Sequence, residues 1–221
     1  MTISPRLLVI ACLFVACLLA ANVIAVKLVS IWGFTLPAAV VVFPLSYIFG
    51  DILTEVYGYR YARRVIWLGF LCNLVFVLFA WVGEMMPAAP GWPNQAAYED
   101  ILGYAPRLLA ASFAGYLVGE FVNSYILAKM KIKTGGRWLW ARTIGSTVVG
   151  QGLDTSVFII IAYAGQPWFD PITILHHWTA KTAIEAAATP ITYRVVNYLK
   201  RKEGIDTYDY DTKFNPILVA D

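Results

Sequence analysis

Apolar residues run along this chain in stretches long enough to cross a bilayer, separated by short polar connections. A spanning helix needs roughly 20 mostly apolar residues, and the pattern predicts six, at about 6–28, 37–57, 65–86, 106–130, 142–165 and 172–198. Pro37 and Pro44 interrupt the second, and with Pro190 and nearby glycines they are the expected bend points. Inside these stretches sit Asp51, Glu55, Glu120, Asp154 and Glu185. A charge at the bilayer centre costs at least about 2.5–3.5 kcal/mol, so a chain carrying several must hide them in a shared polar interior.

Helical spacing gathers these acids into stripes, because side chains three or four residues apart share a face. Tyr47, Asp51 and Glu55 make one; Tyr116, Glu120 and Asn123 a second; Thr147, Gln151 and Asp154 a third; His177, Lys181 and Glu185 a fourth. The first stretch adds Asn22 and Lys27, and the third is nearly plain apart from Asn73. Four polar faces at overlapping depths predict a cavity ringed by helices, with lipid outside. Blander readings apply to individual members. Lys181 and Glu185 are spaced to neutralise each other, Asp51 and Glu55 are placed to meet Arg60, Arg63 or Arg64, and Asn22 or Asn73 alone suits interhelical contact. Glu120 and Asp154 resist such readings, each lying well inside its stretch with an amide on the same face. Gly115-x-x-x-Gly119, Ala16-x-x-x-Ala20 and Ala183-x-x-x-Ala187 are small-residue faces suited to close helix packing.

Composition agrees with a membrane protein. The 221 residues are 59% hydrophobic and 14% charged, with a mean hydropathy of +0.64, too apolar for a soluble domain of this length. Basic residues collect at Arg60, Arg63 and Arg64, from Lys129 to Arg142, and at Lys200, Arg201 and Lys202, whereas the alternate loops carry Glu84, Glu99, Asp100 and Asp170. The Lys/Arg bias places both termini in the cytoplasm, so the net charge of +3 reports topology and implies no nucleic-acid partner. Residues 1–202 read as one transmembrane domain and 203–221 as a short cytoplasmic tail holding Asp206, Asp209 and Asp211. Phe14-Val15-Ala16-Cys17 resembles a lipoprotein box imperfectly, but the apolar run continues past it, so neither cleavage nor lipidation is expected. Cys12, Cys17 and Cys72 lack metal spacing, and His176–His177 lacks a third ligand, so no metal and no disulfide are expected.

No HExxH, P-loop, GxSxG or paired-cysteine motif is present. An intramembrane hydrolase with Asp51 and Asp154 as its dyad has no motif behind it, and the chain is not expected to be an enzyme or to need a cofactor. An ion or proton pump could use the same acids. Carboxylates beside Asn123 and Gln151, with Tyr47, Tyr116 and Phe158 near in sequence, suit a planar polar molecule better: a carboxylate accepts two N–H donors, an amide offers both donor and acceptor, and a ring stacks.

Five segments carry a family resemblance: Asn22–Lys27, Phe43–Gly58, Gly119–Ser124, Arg142–Thr155 and Lys181–Pro190. In this order they resemble the queuosine-precursor transporters, a bacterial vitamin-uptake family. The resemblance implies an all-α, six-helix inner-membrane carrier similar to the substrate-binding subunits of energy-coupling-factor importers. The implied cargo is 7-cyano-7-deazaguanine and 7-aminomethyl-7-deazaguanine, imported for tRNA modification without an ATPase module. The site it implies uses Asp51, Glu55, Glu120, Asn123, Gln151, Asp154, Lys181 and Glu185, with Asn22 and Lys27. Two alternatives stay open, a binding subunit that needs a partner ATPase and a carrier for another nucleobase or vitamin. A lone chain and a homodimer both fit the sequence, and the Gly115/Gly119 face would serve the homodimer.

Overall fold

The computed structural model describes residues 4–31, 34–103, 106–165 and 171–218; Asp170 and the end of the tail lie outside them. The protein is mostly helical. Helix α1 (Pro5–Ile24) begins where Ser4 accepts the backbone N–H groups of Arg6 and Leu7, with Pro5 at the first position, where no donor is needed. A two-stranded antiparallel hairpin follows, β1 (Leu28–Ile31) against β2 (Phe34–Pro37), with Val29 opposite Leu36. The hairpin lies in the connection between the first two expected spans, which are themselves helical, and Val29, Ile31, Phe34 and Thr35 are β-branched or aromatic residues that favour strands.

A 3-10 turn (Ala38–Val41) leads into α2 (Phe43–Ile52), which continues as a π-helical turn (Leu53–Tyr57) and stops at Gly58, φ +90°. Pro44 lies in the first turn of α2 rather than breaking it. Helix α3 (Tyr59–Met85) is followed by the short α4 (Gln95–Leu102), and then by α5 (Pro106–Thr134), α6 (Leu139–Tyr163) and α7 (Ile172–Glu203). Pro190 sits within α7, which continues through it and ends at a left-handed Gly204.

Contacts sort the elements into two ends. At one, Arg6 meets Glu203 at 3.0 Å, and Lys131, Arg142 and Lys200 converge on Glu55. The start of α1, the α2–α3 junction, the ends of α5 and α7 and the start of α6 therefore lie together. Helix α4 packs on the far end of α3, Tyr98 donating to the Ala80 carbonyl at 3.0 Å.

Beside an apolar core around Phe14, Ile52 and Ile66, the interior holds many polar groups, and the surface is rich in apolar ones. Asn22, Asp51, Glu55, Asn73, Glu120, Asn123, Thr147, Gln151 and Glu185 are buried, while Leu8, Val9, Leu71, Phe79, Trp81 and Val82 are exposed. This inversion suits a surrounding of lipid. Four helical stretches, Pro5–Ile24, Ala38–Tyr57, Tyr59–Met85 and Leu139–Ala162, are long and apolar enough to cross a membrane. Helices α5 and α7 have the length but carry more charge, including Glu120, Lys181 and Glu185.

The tail is a strap rather than a loose extension. Asp209 accepts the Tyr59 backbone N–H at 3.0 Å and so caps α3, where Gly58 has no side chain to offer. Arg63, fully buried, donates to the carbonyls of Lys213 and Asn215 at 3.0 and 2.8 Å, and Trp67 donates to that of Pro216. Phe214 packs against Tyr59, and the Lys129 ammonium lies 4.1 Å from its ring centre. Asp209→Ala is expected to lower unfolding stability in detergent by about 1–2 kcal/mol, the worth of a cap, with Asp209→Asn losing less. Denaturant titration measures both.

Candidate functional site

A cavity of about 390 Å³ lies between the helices and reaches the end that carries the hairpin and α4, with Pro37, Asp100, Ile101 and Gly103 in its wall. Its size is that of a small-molecule site. Polar side chains reach it from every long helix: Asn22 from α1, Ser46 and Tyr47 from α2, Asn73 from α3, Ser112, Tyr116 and Glu120 from α5, Asp154 and Thr155 from α6, His177 and Lys181 from α7. Phe43 and Phe158 add aromatic surface.

Close approach of α5 and α6 makes this convergence possible. A Cβ on Gly119 would lie 2.6 Å from the Asp154 Cβ, and one on Gly150 would lie 2.8 Å from the Asn123 Cβ. The Gly115/Gly119 face therefore packs against α6 within the chain, leaving it no role in a homodimer.

The acids differ in their partners. Lys181 donates to Asp154 at 2.8 Å and stands 4.8 Å from the Phe43 ring centre. The Lys181–Glu185 bridge does not form, because Glu185 instead accepts Thr147 and, at 3.4 Å, Gln151. Asn123 donates to Asp51 at 2.8 Å. Glu120 is fully buried and neither of its carboxylate oxygens has a hydrogen-bond partner. The Tyr47 hydroxyl, also in the cavity wall, is likewise without one.

Of the ten candidate residues, Asn22, Glu120, Asp154 and Lys181 line the cavity. Asn22 bridges helices as well, donating to Asn73 at 3.0 Å and accepting from Ser112. Asp51, Asn123, Gln151 and Glu185 are buried but outside the lining. Lys27 is exposed in the turn after α1 and is not brought to the cavity; its carbonyl accepts the Ala38 N–H, closing the hairpin.

Glu55 stands apart at the basic end. It does not meet Arg60, Arg63 or Arg64; its Oε1 accepts Arg142 at 2.8 Å and Lys200 at 2.7 Å, with Lys131 at 3.7 Å. Asp206 of the tail joins this cluster, 2.5 Å from Lys131 and 2.8 Å from Lys200. These cations were legible only as loop charges. The one signal was their fall within a turn or two of the helix ends, where a long side chain can reach back. Phe43, Ser112 and Thr155 are further wall residues whose spacing carries no distinct sign of contact, whereas Tyr47 belongs to the stripe of Asp51 and Glu55.

Burial alone would raise the Asp206 carboxyl, but hydrogen bonds from Lys131 and Lys200, and their charges, hold it below its ordinary 3.8. A depressed folded value gives stability that is present above the unfolded value and is lost as pH falls through the folded one. The pairs are partly exposed, so the effect is at most about 1 kcal/mol. The parent's stability advantage over Asp206→Asn should therefore be full at neutral pH, begin to fall as pH approaches 3.8 and disappear only below the lower folded value, as measured by unfolding at stepped pH.

Residues 37–195 match the model of the family described as "Putative vitamin uptake transporter". A "Probable queuosine precursor transporter" of Bacillus subtilis is 32% identical over 143 residues, 63% of this chain and 62% of that protein. The "Queuosine precursor transporter" of Escherichia coli is 26% identical over 151 residues, 68% of this chain and 64% of that one. A Haemophilus influenzae protein named "Probable queuosine precursor transporter" is 24% identical over 150 residues, 67% and 57% of the two chains. Each match spans less than two thirds of the relative's own length. No solved structure matches.

Proposed function

The chain belongs to the vitamin uptake transporter family, and from that premise we propose that it carries queuosine precursors, 7-cyano-7-deazaguanine and 7-aminomethyl-7-deazaguanine, across the bacterial inner membrane. The names of its relatives support the cargo. The observation that carries the reading is Glu120: a buried carboxylate with two unpartnered oxygens, in the wall of a cavity of about 390 Å³. A deazaguanine presents a ring N–H and an exocyclic amine side by side, a pair of donors that one carboxylate accepts together. Phe43, Tyr47 and Phe158 provide surface for the flat ring. The Tyr47 hydroxyl is placed to donate to an acceptor on the same molecule. Asp154, held by Lys181, is the second acid of the cavity and the partner for a cationic aminomethyl group.

The carrier crosses the membrane six times in this reading, with α5 and α7 spanning as well and their charges turned inward. Both termini face the cytoplasm, as the basic end requires. The Glu55 cluster then closes the cytoplasmic side while the cavity reaches the other, an arrangement that suits alternating access around a midplane site. Transport requires the cluster to part.

The test is uptake of radiolabelled 7-cyano-7-deazaguanine by cells that lack precursor synthesis. Glu120→Gln replaces one acceptor oxygen by a donor and should cut uptake at least tenfold, the loss that follows from about 1.4 kcal/mol, with protein level in the membrane unchanged. Uptake equal to the parent's would remove Glu120 from the site. Transport by the purified chain in liposomes separates an autonomous carrier from a subunit that depends on an ATPase.

A further inference from the structure

Polar residues of α2, α5, α6 and α7 fall into three layers. The outermost is the cavity wall, with Tyr47, Glu120, Asp154 and Lys181. The innermost is the ionic cluster of Glu55, Lys131, Arg142 and Lys200. Between them, about one helical turn below the cavity residues on α2, α5 and α7, lie Asp51, Asn123, Gln151 and Glu185. We propose that this middle layer is a proton-binding site that couples entry of the cargo to entry of a proton. The inference rests on the transport reading and extends it to residues that do not touch the cavity.

The supply of hydrogen-bond donors is what points to a proton. Asp51 accepts Asn123, and Glu185 accepts Thr147 and Gln151. The other ends of both amides, Asn123 Oδ1 and Gln151 Oε1, are fully buried acceptors that no donor meets. Among the described residues no lysine, arginine or histidine forms an ion pair with Asp51 or Glu185. Two carboxylates and two amide oxygens thus leave this buried layer with an excess of acceptors. An unpaired buried charge costs several kcal/mol, and an unmet buried acceptor about 1–3 kcal/mol. A proton on either carboxyl removes one charge and creates an O–H donor for an amide oxygen.

Every neighbouring charge is either the wrong sign or already engaged. Tyr47 and Glu55 flank the layer on the α2 stretch, Tyr116 and Glu120 on α5, Asp154 on α6 and Lys181 on α7. Lys181 is taken by Asp154, and Arg142, Lys131 and Lys200 by Glu55. On α1 and α3, Arg6 is held by Glu203 and Arg63 by the tail carbonyls. The layer also lies on the route inward, between the cavity and the cluster that must part. A neutral layer can separate and slide past apolar surface more readily than one bearing two negative charges. The proton boards while the cavity faces outward and leaves once the cluster opens to the cytoplasm.

Two measurements on the full chain test this. In proteoliposomes, uptake of 7-cyano-7-deazaguanine against an interior one pH unit more alkaline should approach tenfold greater accumulation for one proton per cargo. Asp51→Asn and Glu185→Gln should still bind the compound in detergent but accumulate it equally with and without the gradient. Infrared spectra at neutral pH should show the C=O band of a protonated carboxylic acid, part of which is lost in the double variant. Uptake that ignores the pH gradient, or follows a sodium gradient instead, overturns the proposal, as does a carboxylic acid band unaltered in the double variant. If the parent imports none of the compound under any gradient while the band behaves as expected, the cargo assignment fails and the proton site stands.

Discussion

Glu55 is the point on which the bundle's basic end depends. One buried carboxylate oxygen gathers Arg142 from α6 and Lys200 from α7, with Lys131 of α5 beside them. Those cations are costly to bury alone, and they are tolerated because Glu55 and Asp206 offset their charge. Removing one partner from such a set costs about 3–5 kcal/mol, most of it the penalty of what is left unpaired. The π-helical turn that carries Glu55 also frees it from a regular helical register. Lys131 bonds the Glu55 carbonyl at 2.6 Å as well as its side chain, so backbone and carboxylate are held together.

This anchor contrasts with the opposite economy at the cavity. There the acids outnumber the cations, and Glu120 is left with neither donor nor counter-charge. A cluster of ion pairs at one end and an acid without any partner at the other make the two ends of α2, α5, α6 and α7 unequal. The cluster stabilises one shape of the molecule; the cavity retains free binding capacity for a ligand that brings donors. Strong interaction is concentrated at one end, and unmet hydrogen-bonding capacity at the other.

Much of this was legible in the chain because the helical period is rigid. Asp51, Glu120, Asp154 and Glu185 share faces at predictable depths, and the structure buries all but the partly exposed Asp154 between helices. Pairing was not legible. Sequence spacing offered Lys181 to Glu185 and Arg63 to Glu55, whereas the fold gives Lys181 to Asp154 and Arg63 to the tail. Both misreadings favoured neighbours in sequence over neighbours on another helix, which periodicity cannot rank. The hairpin was missed for a related reason: a short apolar run has no period that separates strand from helix. The tail read as a polar extension because its anchors are backbone carbonyls, which leave no mark in a sequence.

Rigidity also explains how distant layers can act as one. Tyr47, Asp51 and Glu55 belong to a single continuous helical stretch, so a tilt of that stretch moves the cavity wall, the middle layer and the cluster together. Helices α5, α6 and α7 repeat the same order of residues. A ligand that engages Tyr47 in the cavity wall therefore touches the same helical stretch whose other end carries Glu55. Coupling of this kind needs only that the two arrangements differ in how the acids are paired. The π turn and Gly58 mark where that stretch ends and α3 begins.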